Sequence, residues 1–331
     1  MKKIINSVEL VEEQMIEGLC KAYPGYVKRV EGTNVIARAV KKEGKVALVS
    51  GGGSGHEPAH AGYVGTGMLD AAVPGAVFTS PTPDQVYEAI KAVATDQGVL
   101  MIIKNYTGDV MNFEMAADMA RDEGITVDEV IVNDDVAVDG SLYTVGRRGV
   151  AGTVFVHKIT GAKAETGASR EEVKAVAQKV IDNVRSMSMA IRPCTVPAAG
   201  KPGFELGDDE MEIGIGIHGE PGTHREKISS VNNTVDHLVG KILDEGIYAE
   251  GDEVAVMVNG MGATPLSELF IANLRVKEIL DEKKISIAKT LVGNYMTSLD
   301  MAGFSVTLLK LDDELKGFLN APADTPAYKE V

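Results

Sequence analysis

The sequence predicts an α/β protein made of two α/β domains, each a mainly parallel or mixed sheet flanked by helices. Three observations predict it. Apolar strand-like runs alternate with helix-like segments along the first half. A proline- and glycine-rich stretch at residues 192–203 breaks that alternation. The alternation then starts again, in a chain whose 331 residues exceed what one core usually supports. We place the domains at residues 1–188 and 189–331, with room for the last residues to return to the first.

In order along the first half, residues 46–50, 99–104 and 129–133 read as buried strands. Thr82, Pro83 and Gln85 open a helix between the first two, as N-cap, first helical residue and closing partner of a capping box. A second helix is predicted over residues 112–123, ended by Gly124. A long polar helix over residues 169–189 separates the halves. The second half reads as an alternating strand at 212–217, a helix at 233–245, and a strand at 253–258. A helix opened by Thr264-Pro265 and strands at 285–292 and 305–310 complete it. In parallel sheets ligands bind beyond the carboxyl ends of the strands, and His56 and residues 104–109 both fall there.

The formal net charge is −15, which argues against nucleic acid or an anionic membrane as partner. No signal-peptide core follows the N-terminal lysines, and no run approaches 18 apolar residues, so a cytoplasmic location is expected. Cys20 and Cys194 stand far apart, read as reduced, and have no metal-ligand spacing.

Two histidines sit inside glycine clusters: His56 in Gly51-Gly52-Gly53-Ser54-Gly55-His56-Glu57-Pro58, and His218 in Gly216-Ile217-His218-Gly219-Glu220-Pro221-Gly222. Glycine costs backbone entropy, so its density at a strand end points to a sharp turn or a close approach. A histidine held there can serve as base, donor or nucleophile. The first cluster lacks the Lys-Ser/Thr of a phosphate-binding loop and the acidic partner of a dinucleotide fingerprint. It reads equally as a structural turn or as a cradle for a small ligand.

The segment Lys104-Asn105-Tyr106-Thr107-Gly108-Asp109 is rich in hydrogen-bonding side chains. Lys104 offers a positive donor, and Asp109 can orient or deprotonate a hydroxyl; the competing reading is an Asx-type turn with exposed charges. His218 alone reads first as a hydrogen-bonded core residue. His-Gly-Glu is no established metal spacing. His224 reads as surface, and His60, His157 and His237 as structural. Arg147-Arg148 reads as turn chemistry or, alternatively, as a contact to a phosphate or an acidic partner.

Taken together, the motifs at residues 51–58, 78–84, 104–109, 142–150, 194–202, 216–222, 262–269 and 297–304 resemble the dihydroxyacetone kinase substrate-binding subunit, in order along essentially the whole chain. The resemblance implies that His218 forms a covalent hemiaminal with the substrate carbonyl and that His56 is the general base. It implies that Gly53, with its neighbours Ser54 and Gly55, Lys104 and Asp109 hold the substrate hydroxyls. Adduct formation would select carbonyl compounds over polyols.

The chain shows no nucleotide-binding motif and no acidic cluster for Mg²⁺. The resemblance then implies that this chain binds no cofactor, and that ADP or ATP and Mg²⁺ reside on a separate kinase subunit. That subunit would be recharged through a phosphoryl-carrier protein, as in phosphotransferase-system enzymes. A homodimer is expected. Two other readings stand beside this one: a paralogous dihydroxyacetone-sensing coactivator of transcription without turnover, and a free-standing aldolase-like or isomerase enzyme.

Overall fold

Two six-stranded sheets carry the protein; the structure, a computed structural model, describes residues 2–138 and 146–331. The first half runs α1 (Val11–Ala22), β1 (Val27–Arg29), β2 (Ile36–Arg38), β3 (Ala47–Ser54), β4 (Ala71–Val77), α2 (Pro83–Val93), β5 (Val99–Lys104), α3 (Thr107–Asp122), β6 (Val127–Val132), α4 (Thr153–Glu165) and α5 (Arg170–Asn183). The second runs β7 (Val184–Arg192), β8 (Glu210–Ile213), β9 (His224–Lys227), α6 (Val231–Leu243), β10 (Glu253–Gly260), α7 (Leu266–Glu282), β11 (Ser286–Gly293), β12 (Ala302–Leu311), α8 (Asp313–Leu319) and a closing hairpin of β13 (Ala323–Asp324) and β14 (Lys329–Glu330).

The first sheet has the order β1-β2-β4-β3-β5-β6, with β4, β3, β5 and β6 parallel. The second has the order β11-β10-β12-β7-β8-β9 and is mixed, since only β10 and β11 run parallel. The predicted α/β class with mainly parallel or mixed sheets is therefore the observed one. Val49, Val73 and Met101 pack under Val86, Ile90 and Phe113 of α2 and α3. The opposite face, through Leu48 and Ile102, packs on Phe155 and Ile159 of α4 and Val176 and Val180 of α5. That cluster continues into Met257 and Leu309 of the second sheet, whose far face is covered by α6 and α7. Layers of helix, sheet, helix, sheet and helix result.

Four local expectations need correction. The helix predicted over 169–189 ends at Asn183, and β7 occupies residues 184–192. The expected boundary at 188/189 therefore falls inside a strand that pairs with β12 along its length. Ser186 and Ser188 there are buried, because Ser186 bonds Asp134 and Thr307 while Ser188 bonds the Ile215 carbonyl; sequence alone reads such serines as polar surface. The capping box at Thr82 does not form, since the side-chain Oε1 of Gln85 accepts the Asn34 N–H instead, at 2.8 Å. The helix expected from Asn112 starts five residues earlier, at Thr107. Finally, the strand leading toward His218 stops at Ile213, with Gly214 in the left-handed region (φ 76°).

Near the end of the chain, Asp324 N–H donates to the Thr66 carbonyl and Ala327 N–H to that of Gly62, each at 2.9 Å. Among the described residues no helix is long and apolar enough to cross a membrane.

Candidate active site

His218 lines a cleft of about 690 Å³ between the sheets, and the ring of His56 lies directly behind it, 4.7 Å from that of His218. Gly51, Gly52 and Gly53, expected as a loop, are the last turnless stretch of β3, paired with Val73, Pro74 and Gly75 of β4. Gly53 is required by contact: a Cβ there would lie 2.6 Å from the Thr79 nitrogen and 2.7 Å from Phe78 Cα. Just beyond, His56 is fully buried and its Nδ1 lies 2.8 Å from the carbonyl of Thr297, in the connection between β11 and β12. Main-chain bonds from Thr297 and Leu299 to the carbonyls of His56 and Gly55 seal that junction. The second half thus holds the first histidine. A carbonyl only accepts, so His56 carries its proton on Nδ1 and its Nε2 is left with a lone pair and no protein partner. Burial, then the nearby His218 and Lys104, pushes the His56 pKa well below its ordinary value, so the ring is neutral.

His218 sits on the connection between β8 and β9. Its Nδ1 lies 2.8 Å from Glu220 Oε1, and its backbone N–H donates to Oε2 at 3.0 Å. Gly216 makes room for that carboxylate, since a Cβ there would fall 1.9 Å from Glu220 Oε2. Burial would raise the Glu220 carboxyl, but His218 and the Arg148 guanidinium bring it down to about 2. With Nδ1 bound to a carboxylate, Nε2 of His218 is the nitrogen left for chemistry. Its ring meets His56 edge-on at 4.7 Å, and the rings of Phe78 and Tyr106 at 5.2 and 4.7 Å. Phe78, in the left-handed region (φ 57°), stacks on His56 at 5.3 Å.

Lys104 and Asp109 close the floor. Lys104 ends β5 and is fully buried; Asp109 lies in the first turn of α3 and is buried too, which removes the exposed-turn reading. Lys104 Nζ reaches the Gly51 carbonyl at 3.3 Å, His60 Nε2 at 3.0 Å and Asp109 Oδ2 at 3.9 Å. Burial lowers the Lys104 pKa, and Asp109 opposes that shift. Asp109 Oδ1 and the Tyr106 hydroxyl are buried without a protein partner. Buried polar atoms are normally paired, so His56 Nε2, Tyr106 OH and Asp109 Oδ1 around one cleft mark a site shaped for a small polar ligand.

Of the residues singled out in the sequence, His56, His218, Gly53, Lys104 and Asp109 converge here. Ser54 and Gly55 do not offer free groups: the Ser54 hydroxyl donates to the Gly75 carbonyl at 2.6 Å, and the Gly55 N–H to Glu57 at 2.9 Å. The possibility of a docking role for the arginine pair is also corrected. Arg148 is fully buried on Asp135 and the Gly214 carbonyl, both at 2.7 Å, and Arg147 pairs with Glu245. Residues 142–145 of the motif at 142–150 lie outside the described residues. Sequence reasoning gave no role to Phe78, Ser80, Tyr106 or Phe204, which line the cleft, or to Thr297. Tyr106, inside the polar 104–109 cluster, and Phe78, Ser80 and Thr297, inside the motifs at 78–84 and 297–304, carried a signal that could have found them; Phe204 did not.

Comparison with known proteins places the chain in a family. Over 329 residues the chain is 60% identical to the protein named PTS-dependent dihydroxyacetone kinase 1, dihydroxyacetone-binding subunit DhaK, from Listeria innocua, covering 99% of this chain and all of that one. The native dihydroxyacetone kinase of C. freundii superposes with a TM-score of 0.90 at 35% identity, over 99% of this chain and 60% of that longer one. The dihydroxyacetone kinase operon co-activator Dha-DhaQ superposes with a TM-score of 0.91 at 38% identity, over 96% of this chain and 98% of that one. A family model spans residues 17–327 and so takes in every residue of the cleft: the chain belongs to the Dak1 domain family.

Proposed function

We propose that this protein is the dihydroxyacetone-binding subunit of a multi-subunit, phosphotransferase-system-dependent dihydroxyacetone kinase. The observation that carries the reading is the pairing of two unlike histidines over one cleft. His218 has Nδ1 on a carboxylate and Nε2 unengaged; His56 is neutral, buried and unpartnered at Nε2. The near-full-length identity to the Listeria kinase subunit supports it.

The chemistry runs as follows. The Nε2 lone pair of His218 adds to the ketone carbon, and the carbonyl π pair moves to oxygen, which takes a proton from solvent. The imidazolium so formed is balanced by the Glu220 carboxylate and returns its Nδ1 proton to solvent, so that no net proton is gained or lost. The product is a tetrahedral hemiaminal. Lys104 and Asp109 hold the hydroxyls, and His56 Nε2 accepts the proton of the terminal hydroxyl as it attacks the phosphoryl group. The phosphoryl group arrives on a nucleotide with Mg²⁺ held by a separate subunit, which is recharged through a phosphoryl-carrier protein, and the product is dihydroxyacetone phosphate. Electrostatics and positioning on that subunit govern transfer. A homodimer and a partner subunit need apolar docking faces, and α3 exposes Met111, Met115 and Met119 while α7 exposes Leu266, Phe270 and Leu274. The likeness to the co-activator is lower in identity than that to the kinase subunit, which favours turnover over sensing.

The test is NMR of dihydroxyacetone labelled with ¹³C at its carbonyl. With the purified chain the carbonyl resonance should give way to a tetrahedral carbon, and His218→Ala should abolish the change. A tetrahedral signal that persists in His218→Ala would overturn the assignment of the adduct.

A further inference from the structure

We propose that His224, Glu226 and His237 form a binding site for one divalent cation of the zinc class, on the edge of the second sheet and outside the cleft. His224 and Glu226 stand two residues apart in β9, which puts both side chains on one face of the strand. His237 comes from the middle of α6. The ligand atoms of the three all lie within 4.8 Å of one another. His224 Nε2 is 3.2 Å from Glu226 Oε2, and the two imidazoles stack at 5.5 Å with their planes 26° apart. Ligands of a tetrahedral zinc ion, each about 2.0–2.2 Å from the metal, sit about 3.3 Å apart. Closing on an ion therefore asks for about 1–1.5 Å of side-chain movement. The side chains of His224 and Glu226 are 43% and 36% exposed, so they are free to make it and the ion can reach them.

The surroundings orient the ligands. The Thr223 hydroxyl lies 3.2 Å from the Ile213 carbonyl and 3.0 Å from His224 Nδ1. That contact turns Nε2 toward Glu226, as outer-shell partners commonly do for ligating histidines; a carboxylate only accepts, so without an ion Nε2 carries the proton of this contact, and a bound cation takes its place. The neighbouring Arg225 is drawn off by Glu212 at 2.8 Å. Two imidazoles and one carboxylate, with solvent as a fourth ligand, suit Zn²⁺ and its late transition-metal neighbours; Mg²⁺ and Ca²⁺ prefer all-oxygen sites. A bound ion would pin β9 to α6. The connection leading into β9 carries His218 and Glu220, so the ion would steady the far end of that connection.

The experiment is calorimetric titration of the metal-free full chain with ZnCl₂, alongside thermal unfolding. Wild type should bind one ion saturably, and zinc at 100-fold above Kd should raise Tm by roughly 4 °C. His224→Ala and His237→Ala should each weaken binding at least 10-fold, their double variant should lose the Tm rise, and Thr223→Val should weaken binding roughly 10-fold. MgCl₂ should do neither. Absence of a saturable zinc site, or wild-type affinity in the double variant, overturns the proposal. Zinc-edge absorption of the wild-type complex gives a check that needs no variant: a nitrogen and oxygen shell at about 2.0–2.2 Å supports the site, and a sulfur shell refutes it.

Discussion

His218 Nδ1 lies 2.8 Å from Oε1 of Glu220, and the other oxygen of that carboxylate takes the backbone N–H of His218 at 3.0 Å. One buried side chain thus fixes both the ring tautomer and the main chain of the proposed nucleophile. The carboxylate also balances the imidazolium that forms when Nε2 attacks. Glu220→Gln keeps the shape and removes the charge. Capture of dihydroxyacetone, read from the tetrahedral ¹³C signal, should fall at least 10-fold in this variant, while far-UV circular dichroism stays that of wild type. Undiminished capture would mean that the charge plays no part.

His56 should matter to transfer and little to capture. In the presence of the nucleotide-bearing subunit, His56→Ala should lower kcat by roughly 10²-fold or more, the usual scale of general-base catalysis. The tetrahedral ¹³C signal on His218 should remain. Normal turnover in this variant would move the base to Asp109, whose Oδ1 is also unpartnered.

Gly216 tests the packing behind the nucleophile. A methyl group there would lie 1.9 Å from Glu220 Oε2 and 2.8 Å from an Arg148 nitrogen. Gly216→Ala must displace the carboxylate, so ketone capture should drop by at least 10-fold and Tm should fall as well. Full capture with an unchanged Tm would show that the connection relaxes freely.

The split between what was legible and what was not follows the physics of each element. The strands of β5 and β10 are continuous apolar runs bounded by glycine or charge, and they stand where the sequence places them; β3 begins in such a run but continues through Gly51–Ser54, where glycine reads as a turn. α4 gave no signal because eleven of its thirteen residues are buried, so it has no polar face and no helical periodicity. α5 and β7 merge in the sequence because no glycine or proline separates Asn183 from Val184. In the cleft, His56, Lys104, Asp109 and His218 stood out as chemistry-bearing residues beside glycine. Thr297 did not, because it holds His56 through main-chain groups, its carbonyl on Nδ1 and its N–H on the His56 carbonyl, from 241 residues away. Buried Arg148 looked like surface because its partners, Asp135 and the Gly214 carbonyl, come together only in the fold.

The isolated chain should be unable to use ATP. It should show no phosphorylation of dihydroxyacetone with ATP–Mg²⁺ and no heat of binding in calorimetry, and activity should appear when a nucleotide-bearing subunit is added. Stoichiometric ATP binding by the pure chain, or turnover without a partner, would contradict the proposed division of labour.

The buried histidines predict how stability responds to acid. Burial is the main cause in all three: it lowers His56, helped by His218 and Lys104, lowers His60, helped by Lys104 and His157, and brings His157 down to about 3. Each ring is neutral in the folded protein, whereas in the unfolded chain it titrates near 6.5. Below that pH the unfolded chain takes up protons that the native chain refuses, so stability falls as pH falls; above it both states are neutral and the contribution is flat. At pH 5.5, one unit below the unfolded value, each histidine removes about 1.4 kcal/mol, or about 4 kcal/mol for three. Unfolded-state carboxylates are still largely ionised there, but burial raises the Asp135 carboxyl to about 6, so it takes up a proton in the folded protein over this range and offsets part of the loss. Urea denaturation should therefore show a clearly lower midpoint at pH 5.5 than at 7.5, with little change from 7.5 to 8.5. His157→Gln, which removes one of the three groups, should cut the difference between pH 5.5 and 7.5 by about a third relative to wild type. A midpoint independent of pH across 5.5–7.5 would mean that these rings are protonated in the folded protein, and the neutral base assigned to His56 would fall with them.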